Sequence, residues 1–266
     1  MGPAPAASQA SRALPAGQPD HVVVVIFENK STSRIVGDAN APYLNSLLAR
    51  SAVFTQARAI THPSQPNYIA LFSGSTHGVT NDHCPVRLTG KPNLARQLLD
   101  AGHSFAGYSE DLPQPGWTGC SANRYAAKHN PWVDFDNVPA SANLPYTAWP
   151  ANPSRLPTVA FVVPNLCNDM HDCGVATGDR WARAHLDGYL RWADTHNSVL
   201  MVTFDEDDGS AANRILTFFA GAGLRPGQYA EPVNHYRVLR TIESLYGLPG
   251  IGQAAGTTPI TDCWKR

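Results

Sequence analysis

Lysine is scarce in this chain: Lys30, Lys91, Lys128 and Lys265 are the four lysines among twenty basic residues. No basic cluster forms, and the formal net charge is −1 with ten histidines counted as neutral, which argues against a nucleic-acid surface. No apolar run approaches the length of a membrane span. No pair among the five cysteines has C-x-x-C spacing, which argues against a zinc knuckle or a thioredoxin-type site. No serine stands in a G-x-S-x-G elbow, the mark of a metal-free serine esterase. Residues 1–20 lack both a basic n-region and an apolar h-region and are rich in Ala, Pro, Gly and Ser. They read as a flexible leader, of the kind left where a signal peptide has been replaced.

The chain has 266 residues, of which 43% are hydrophobic, enough to bury a substantial core. Continuous β-branched runs at His21–Phe27, Thr158–Val163 and Ser198–Phe204 are signatures of strands buried on both faces. Further strands are expected at Ala52–Ile60, Ser104–Tyr108 and Ile215–Ala220. Helices are expected around Tyr43–Leu48, after Ser64, over Asn93–Ala101 (closed by Gly102), over Gly178–His196, and over Asn234–Tyr246 with Asn234 as cap. Alternation of strands and helices gives an α/β class with a mainly parallel sheet. No internal repeat or interior linker is visible, so residues 21–266 are expected to form one domain. The segment 109–157 is irregular and carries Trp117, Trp132 and Trp149, expected to pin it to the body rather than line a pocket.

Cys84 and Cys120 lie in Pro- and Gly-rich loops, and Cys167 and Cys173 bracket one short loop. Two loop disulfides, Cys84–Cys120 and Cys167–Cys173, with Cys263 left over, would fit an exported protein; five reduced thiols are the alternative.

Chemistry collects where the buried strands stop. Glu28-Asn29 follows the first, the polar segment Asn165 to Asp172 the second, and Asp205-Glu206 the third. Strand C-termini share one edge of a parallel sheet, and ligands bind beyond that edge. Carboxylates beside an amide oxygen make a hard, oxygen-rich site for a divalent cation. Asp207-Asp208-Gly209 reads as a solvated turn. Ser64 sits where an N-cap would sit, before a short apolar helix that Gly74 stops. The same position suits a serine nucleophile, because a helix N-terminus attracts phosphate. His185 reads as a core histidine, and His77, His83, His103, His129 and His196 as structural or surface residues.

Taken in order, Glu28-Asn29, Ser64-Gln65-Pro66-Asn67-Tyr68, Pro164-Asn165-Leu166-Cys167-Asn168-Asp169-Met170-His171-Asp172, Phe204-Asp205-Glu206 and Asn234-His235-Tyr236 resemble the motifs of a bacterial phosphoesterase family. That family includes acid phosphatases and non-haemolytic phospholipases C. Its fold resembles that of the alkaline phosphatase superfamily, and the match runs from about His21 to about Tyr246. The resemblance implies a three-layer α/β/α sandwich and a metal shell of Glu28, Asn29, Ser64, Asp205 and Glu206. It implies that Ser64 is the nucleophile and that Asn67 and Asn29 hold phosphoryl oxygens. A serine hydroxyl needs activation, which a metal ion supplies.

In two-metal relatives Asp and His residues hold a second ion. Here His171, Asp172 and His235 stand in its place, one as general acid and the others in phosphate contact, with His171 favoured as the acid. His62, beside Ser64, is a candidate to orient the loop or contact phosphate.

The expectation is therefore a secreted, metal-dependent phosphoester hydrolase acting through a phosphoserine. Its substrate would be a small phosphoester or a phospholipid headgroup, with phosphomonoesters favoured over the diesters of a phospholipase C. A non-catalytic binding protein of the same fold is the competing reading. Oxygen-rich ligands suit Ca, Mg or Mn, and the superfamily resemblance adds Zn and Fe.

Overall fold

The run HVVVVIF forms β1 (His21–Phe27), the strand on which the sheet is built, with its last six residues all buried. It lies between two parallel neighbours, β7 (Val159–Val163) and β8 (Ser198–Phe204), both wholly buried. Burial on both faces is why these segments are continuous in apolar residues rather than alternating. The computed structural model describes residues 13–210 and 212–265.

The remaining sheet strands are β2 (Ala52–Ala57), β3 (Phe105–Ser109), β6 (Asn143–Pro145), β9 (Phe218–Ala220) and β10 (Gly227–Val233), in the order β10-β2-β9-β8-β1-β7-β3-β6. All neighbours pair parallel except β9, which is antiparallel to both β2 and β8. A separate small hairpin joins β4 (Ser121–Ala122) to β5 (Tyr125–Ala126). The helices are α1 (Pro42–Leu48), α2 (Ser64–Ser73), α3 (Leu94–Asp100), α4 (Val175–Ala193) and α5 (His235–Leu245). They fall into two groups, α1 against α4 and α2 against α3 and α5, the outer layers of an α/β/α sandwich.

Several elements differ from expectation: β2 stops at Ala57 short of Ile60, and β4, β5 and β6 lie in the segment expected to be irregular. The strand expected over Ile215–Ala220 is reduced to β9, because Ile215 bridges instead to Ser31 on the chain leaving β1. β10 has no counterpart among the expected strands: Pro232 and its polar residues mask it, as suits the edge position it takes. Helix α4 starts at Val175, before Gly178, and packs that glycine on Met170; a Cβ at 178 would lie 2.4 Å from the Met170 side chain.

The irregular segment 109–157 is tied down by its aromatic residues. Trp132 lies on Gly107 of β3, where a Cβ would stand 2.1 Å from the indole, and its Nε1 donates to Asn143 Oδ1 at 2.8 Å. Trp149 packs edge-on against Tyr108, and Trp117 against Tyr125. Disulfides link Cys84 to Cys120 and Cys167 to Cys173, and Cys263 is buried and free. Of the expected flexible leader, residues 1–12 lie outside the described residues. The rest is anchored: Leu14 packs on the core, and the carbonyl of Pro19 accepts from Tyr246 Oη at 3.1 Å.

Candidate active site

β1 and β8 run in register to their ends, Phe27 opposite Phe204, so Glu28 and the pair Asp205-Glu206 emerge side by side. The Asp205 N–H donates to the Phe27 carbonyl at 3.0 Å, and the Glu28 N–H to the Asp169 carbonyl at 2.8 Å. The exits of all three central strands are thus stitched together. Asn29 follows in the left-handed region (φ 51°), a conformation asparagine tolerates, and its N–H donates to Asp205 Oδ1 at 3.0 Å.

Ser64 begins α2, with Pro63 as the N-cap residue, and its hydroxyl makes no capping bond. It faces the strand ends instead. Its Oγ lies 3.0 Å from Glu28 Oε2, 3.0 Å from Glu206 Oε1 and 3.4 Å from Asn29 Oδ1. One hydroxyl proton cannot serve all three acceptors. Turned over, the Asn29 amide would donate to Glu206 Oε1 (3.2 Å) and Glu28 Oε2 (3.3 Å). With its oxygen inward, it joins a knot of oxygen atoms that has too few donors of its own. Buried oxygens facing one another are the donor set of a hard divalent cation, so the chemistry of these residues fits such an ion.

The carboxyls show the same stress. Burial, with the charges of Asp205 and Asp169, pushes Glu28 well above its ordinary range. Burial and the neighbouring Glu206 push Asp205 up to about 7, and burial raises Glu206 despite hydrogen bonds from His62 and Ser64. His62 Nδ1 bonds the Glu206 carboxylate and its Nε2 lies 3.1 Å from the Ser210 carbonyl, so it holds Glu206 in place. Asp207 is not the solvated turn that its sequence suggests. It is buried and accepts from the backbone of Gly209, Ser210 and Arg214, shaping the loop that carries Ser210.

A second group of side chains flanks Glu28 on its other side. Tyr68, one turn along α2 from Ser64, donates its hydroxyl to Glu28 Oε1. His129 stacks on Tyr68 (ring centroids 5.2 Å apart) and is buried between Glu28 and Asp169, 3.3 Å from each. Burial, with the fields of Lys128 and His171, pushes the His129 imidazole well below its ordinary range. Burial raises Asp169 to about 8. His171 Nδ1 is 2.7 Å from Asp172 Oδ1, and its Nε2 is 3.5 Å from Lys128 Nζ. Ligand atoms of Glu28, His129 and His171 lie within 4.8 Å of one another, a candidate second place for a metal ion.

The five residues expected as a metal shell and the pair His171 and Asp172 thus come to one sheet edge. Two other candidates are committed elsewhere. Asn67 is wholly buried; its Oδ1 accepts from the N–H groups of Ile60 and Thr61, and its Nδ2 donates to the carbonyls of Thr61 and Pro63. With these bonds it fastens the loop that delivers Ser64. His235 is also buried, its Nε2 2.6 Å from the Asp205 carbonyl, so it stands behind the acidic pair.

His129, Lys128 and Asp82, which bonds Lys128 and the Gln65 N–H, reach the site without a sequence signal of their own. His129 and Lys128 belong to a 3₁₀ turn inside the irregular segment, where no periodicity marks a side chain as inward-facing. Tyr68 closes the serine motif, and its spacing four residues after Ser64 is the one available pointer to a shared helix face.

The fold is like that of solved structures from the alkaline phosphatase superfamily. A superfamily member from Vibrio parahaemolyticus superposes with a TM-score of 0.65 at 15% identity, covering 94% of this chain and 72% of that one. The lipoteichoic acid synthase LtaP from Listeria monocytogenes gives a TM-score of 0.63 at 12% identity, covering 94% and 77%.

The chain belongs to the phosphoesterase family, which it matches over residues 38–249. It is 52% identical to a phosphatidylinositol-3-phosphatase of Mycobacterium tuberculosis, over 99% of this chain and 88% of that protein. It is 31% identical to an acid phosphatase of Aspergillus fumigatus, over 86% of this chain but 55% of that longer protein. The chain is accordingly a hydrolase of phosphoester bonds.

Proposed function

We propose that this protein is a metal-dependent phosphomonoesterase that works through a covalent phosphoserine on Ser64. The observation that carries the reading is the Ser64 hydroxyl, buried at a helix start and 3.0 Å from both Glu28 and Glu206. Glu28, Asn29, Ser64, Asp205 and Glu206 would hold a divalent cation. When bound, such an ion supplies the charge that activates a serine hydroxyl and polarises a phosphoryl oxygen.

The chain's own residues supply the remaining steps. Glu28 or Glu206 takes the hydroxyl proton as Ser64 Oγ forms its bond to phosphorus. The bond from phosphorus to the leaving oxygen breaks, and His171, oriented by Asp172, donates a proton to that oxygen from Nε2. Water then attacks the phosphorus of the phosphoserine as His171 Nε2 takes the water's proton; the bond from phosphorus to Oγ breaks, inorganic phosphate is released, and the glutamate that took the serine proton returns it to Oγ. His62 keeps Glu206 aimed at Ser64, while Asn67 and His235 hold the Ser64 loop and the Asp205 backbone.

The 52% identical relative named a phosphatidylinositol-3-phosphatase favours phosphomonoesters, a phosphorylated inositol headgroup among them, over diesters. Two disulfides favour an oxidising compartment and hence export. A two-ion site is the second reading, favoured by the clustering of Glu28, His129 and His171. Against it, Lys128 already brings a positive charge to within 3.5 Å of His171 Nε2.

The test is chelation followed by reconstitution with Ca, Mg, Mn, Zn or Fe, reading hydrolysis of p-nitrophenyl phosphate. Activity should vanish with the chelator and return with one of these ions. Ser64→Ala should lower kcat by about a thousandfold or more. Chelator-resistant turnover, or a Ser64→Ala enzyme that keeps its rate, would overturn the reading.

A further inference from the structure

The acidic groups of the site outnumber what one divalent cation can balance. Glu28, Asp205 and Glu206 surround Ser64. A phosphomonoester brings up to two further negative charges to that place. Two lysines of the described residues stand close to it. Lys30 donates to the backbone carbonyls of Asn29 (3.2 Å) and Met170 (2.9 Å), so it works as a strut between two loops. Lys128 is placed differently. Its ammonium is held by one carboxylate, Asp82 Oδ2 at 2.8 Å, and stands 3.5 Å from His171 Nε2, the atom assigned to the leaving group.

Asp82 ties this cation to the nucleophile. Its other oxygen, Oδ1, accepts the N–H of Gln65 at 2.9 Å, in the first turn of α2 and next to Ser64. The lysine therefore moves with the helix that carries the serine, which suits a group that must keep register with a phosphoryl in transfer. About a quarter of its side chain is exposed, so the ammonium remains within reach of a ligand.

We propose that Lys128 is a catalytic residue: its ammonium contacts the non-bridging oxygens of the phosphoryl group and makes the site select dianionic phosphomonoesters over monoanionic diesters. This deepens, and rests on, the phosphomonoesterase reading. In phosphoryl transfer, catalysis is mostly positioning and stabilisation of charge on those oxygens, and a fixed cation gains most from the ligand with the higher charge. A compact ammonium on a flexible stem can follow the oxygens from ester to phosphoserine without forming a bond.

The experiment compares the wild-type chain with Lys128→Met and Lys128→Arg, fully loaded with the activating metal. The substrates are p-nitrophenyl phosphate and methyl p-nitrophenyl phosphate. Lys128→Met should lower kcat/KM for the monoester by about a hundredfold or more, in kcat as well as KM, and for the diester by less than about tenfold. Lys128→Arg should recover part of the monoester loss, and melting temperatures should stay close to wild type. Inhibition extends the comparison if diester turnover is undetectable: inorganic phosphate should bind at least about tenfold more weakly to Lys128→Met, with dimethyl phosphate unaffected.

Equal losses on monoester and diester would reduce Lys128 to a structural prop for Asp82 and overturn the proposal, as would an unchanged monoester rate. A wild-type protein that hydrolyses neither ester with any of the metals would instead overturn the phosphomonoesterase reading, and the Lys128 role with it.

Discussion

Ser64, Glu28 and the pair Asp205-Glu206 are legible in the sequence because each directly follows, or is delivered by, an apolar run whose strand character is plain. A polar residue at the end of such a run has its position set by the strand. His129 and Lys128 are not legible for the opposite reason: a non-repetitive stretch places them, held by such contacts as Trp132 on Asn143, Ser109 on Asn130 and the Cys84–Cys120 disulfide. Asn67 has the chemistry of a phosphate ligand, but its amide is spent on four backbone groups of the Ser64 loop. Asn67→Ala should therefore destabilise the fold by about 2–4 kcal/mol, since it strands buried N–H and carbonyl groups together. Chemical denaturation checks this; a fall in activity with unaltered stability would instead make Asn67 a phosphate ligand.

Among the elements, α2 departs furthest from an ordinary surface helix. All ten of its residues are buried, so there is no polar face for a sequence pattern to display. Its end is equally constrained. Gly74 closes it at φ +70°, and a Cβ there would stand 2.2 Å from the Ile251 carbonyl oxygen. Gly74→Ala should cost about 1–3 kcal/mol or more, read as a lowered melting temperature.

Beside the same helix, Asp134 is buried and accepts from Gln65 Nε2 at 3.3 Å, and burial lifts its carboxyl to about 8. That value lies above an unfolded pKa of about 3.9, so the folded chain keeps this proton where the unfolded chain has lost it. The stability it contributes is complete below about pH 4 and is lost as pH rises through about 8. Asp134→Asn, which cannot ionise, should match wild type near pH 4 and exceed it near pH 8 by about 1–3 kcal/mol. Melting curves at the two pH values decide it, and an equal difference at both would remove Asp134 as the cause.

For the molecule as a whole, the order of buried strands sets what the sequence could reveal. β1, β7 and β8 are adjacent and parallel, so their three exits meet, and the ordered motifs point to the fold that the sheet shows. The antiparallel β9 and the edge strand β10 place no side chain of their own in the Ser64 cluster, although β10 leads directly into Asn234-His235. On the proposed reading, a cation among the buried oxygens around Ser64 would link folding to metal. A divalent cation at about 100 times its Kd should stabilise the protein by about 2.7 kcal/mol, read as a melting temperature that rises with metal concentration. Glu28→Gln should remove most of that rise.

The most direct measurement of the central claim is the intact mass of enzyme quenched in acid during turnover of a phosphomonoester, with the modified residue mapped by peptide sequencing. One phosphoryl group on Ser64, absent in Ser64→Ala, is the expected result. Undiminished turnover with no phosphoenzyme at early times, or a phosphoryl group on another residue, would contradict it.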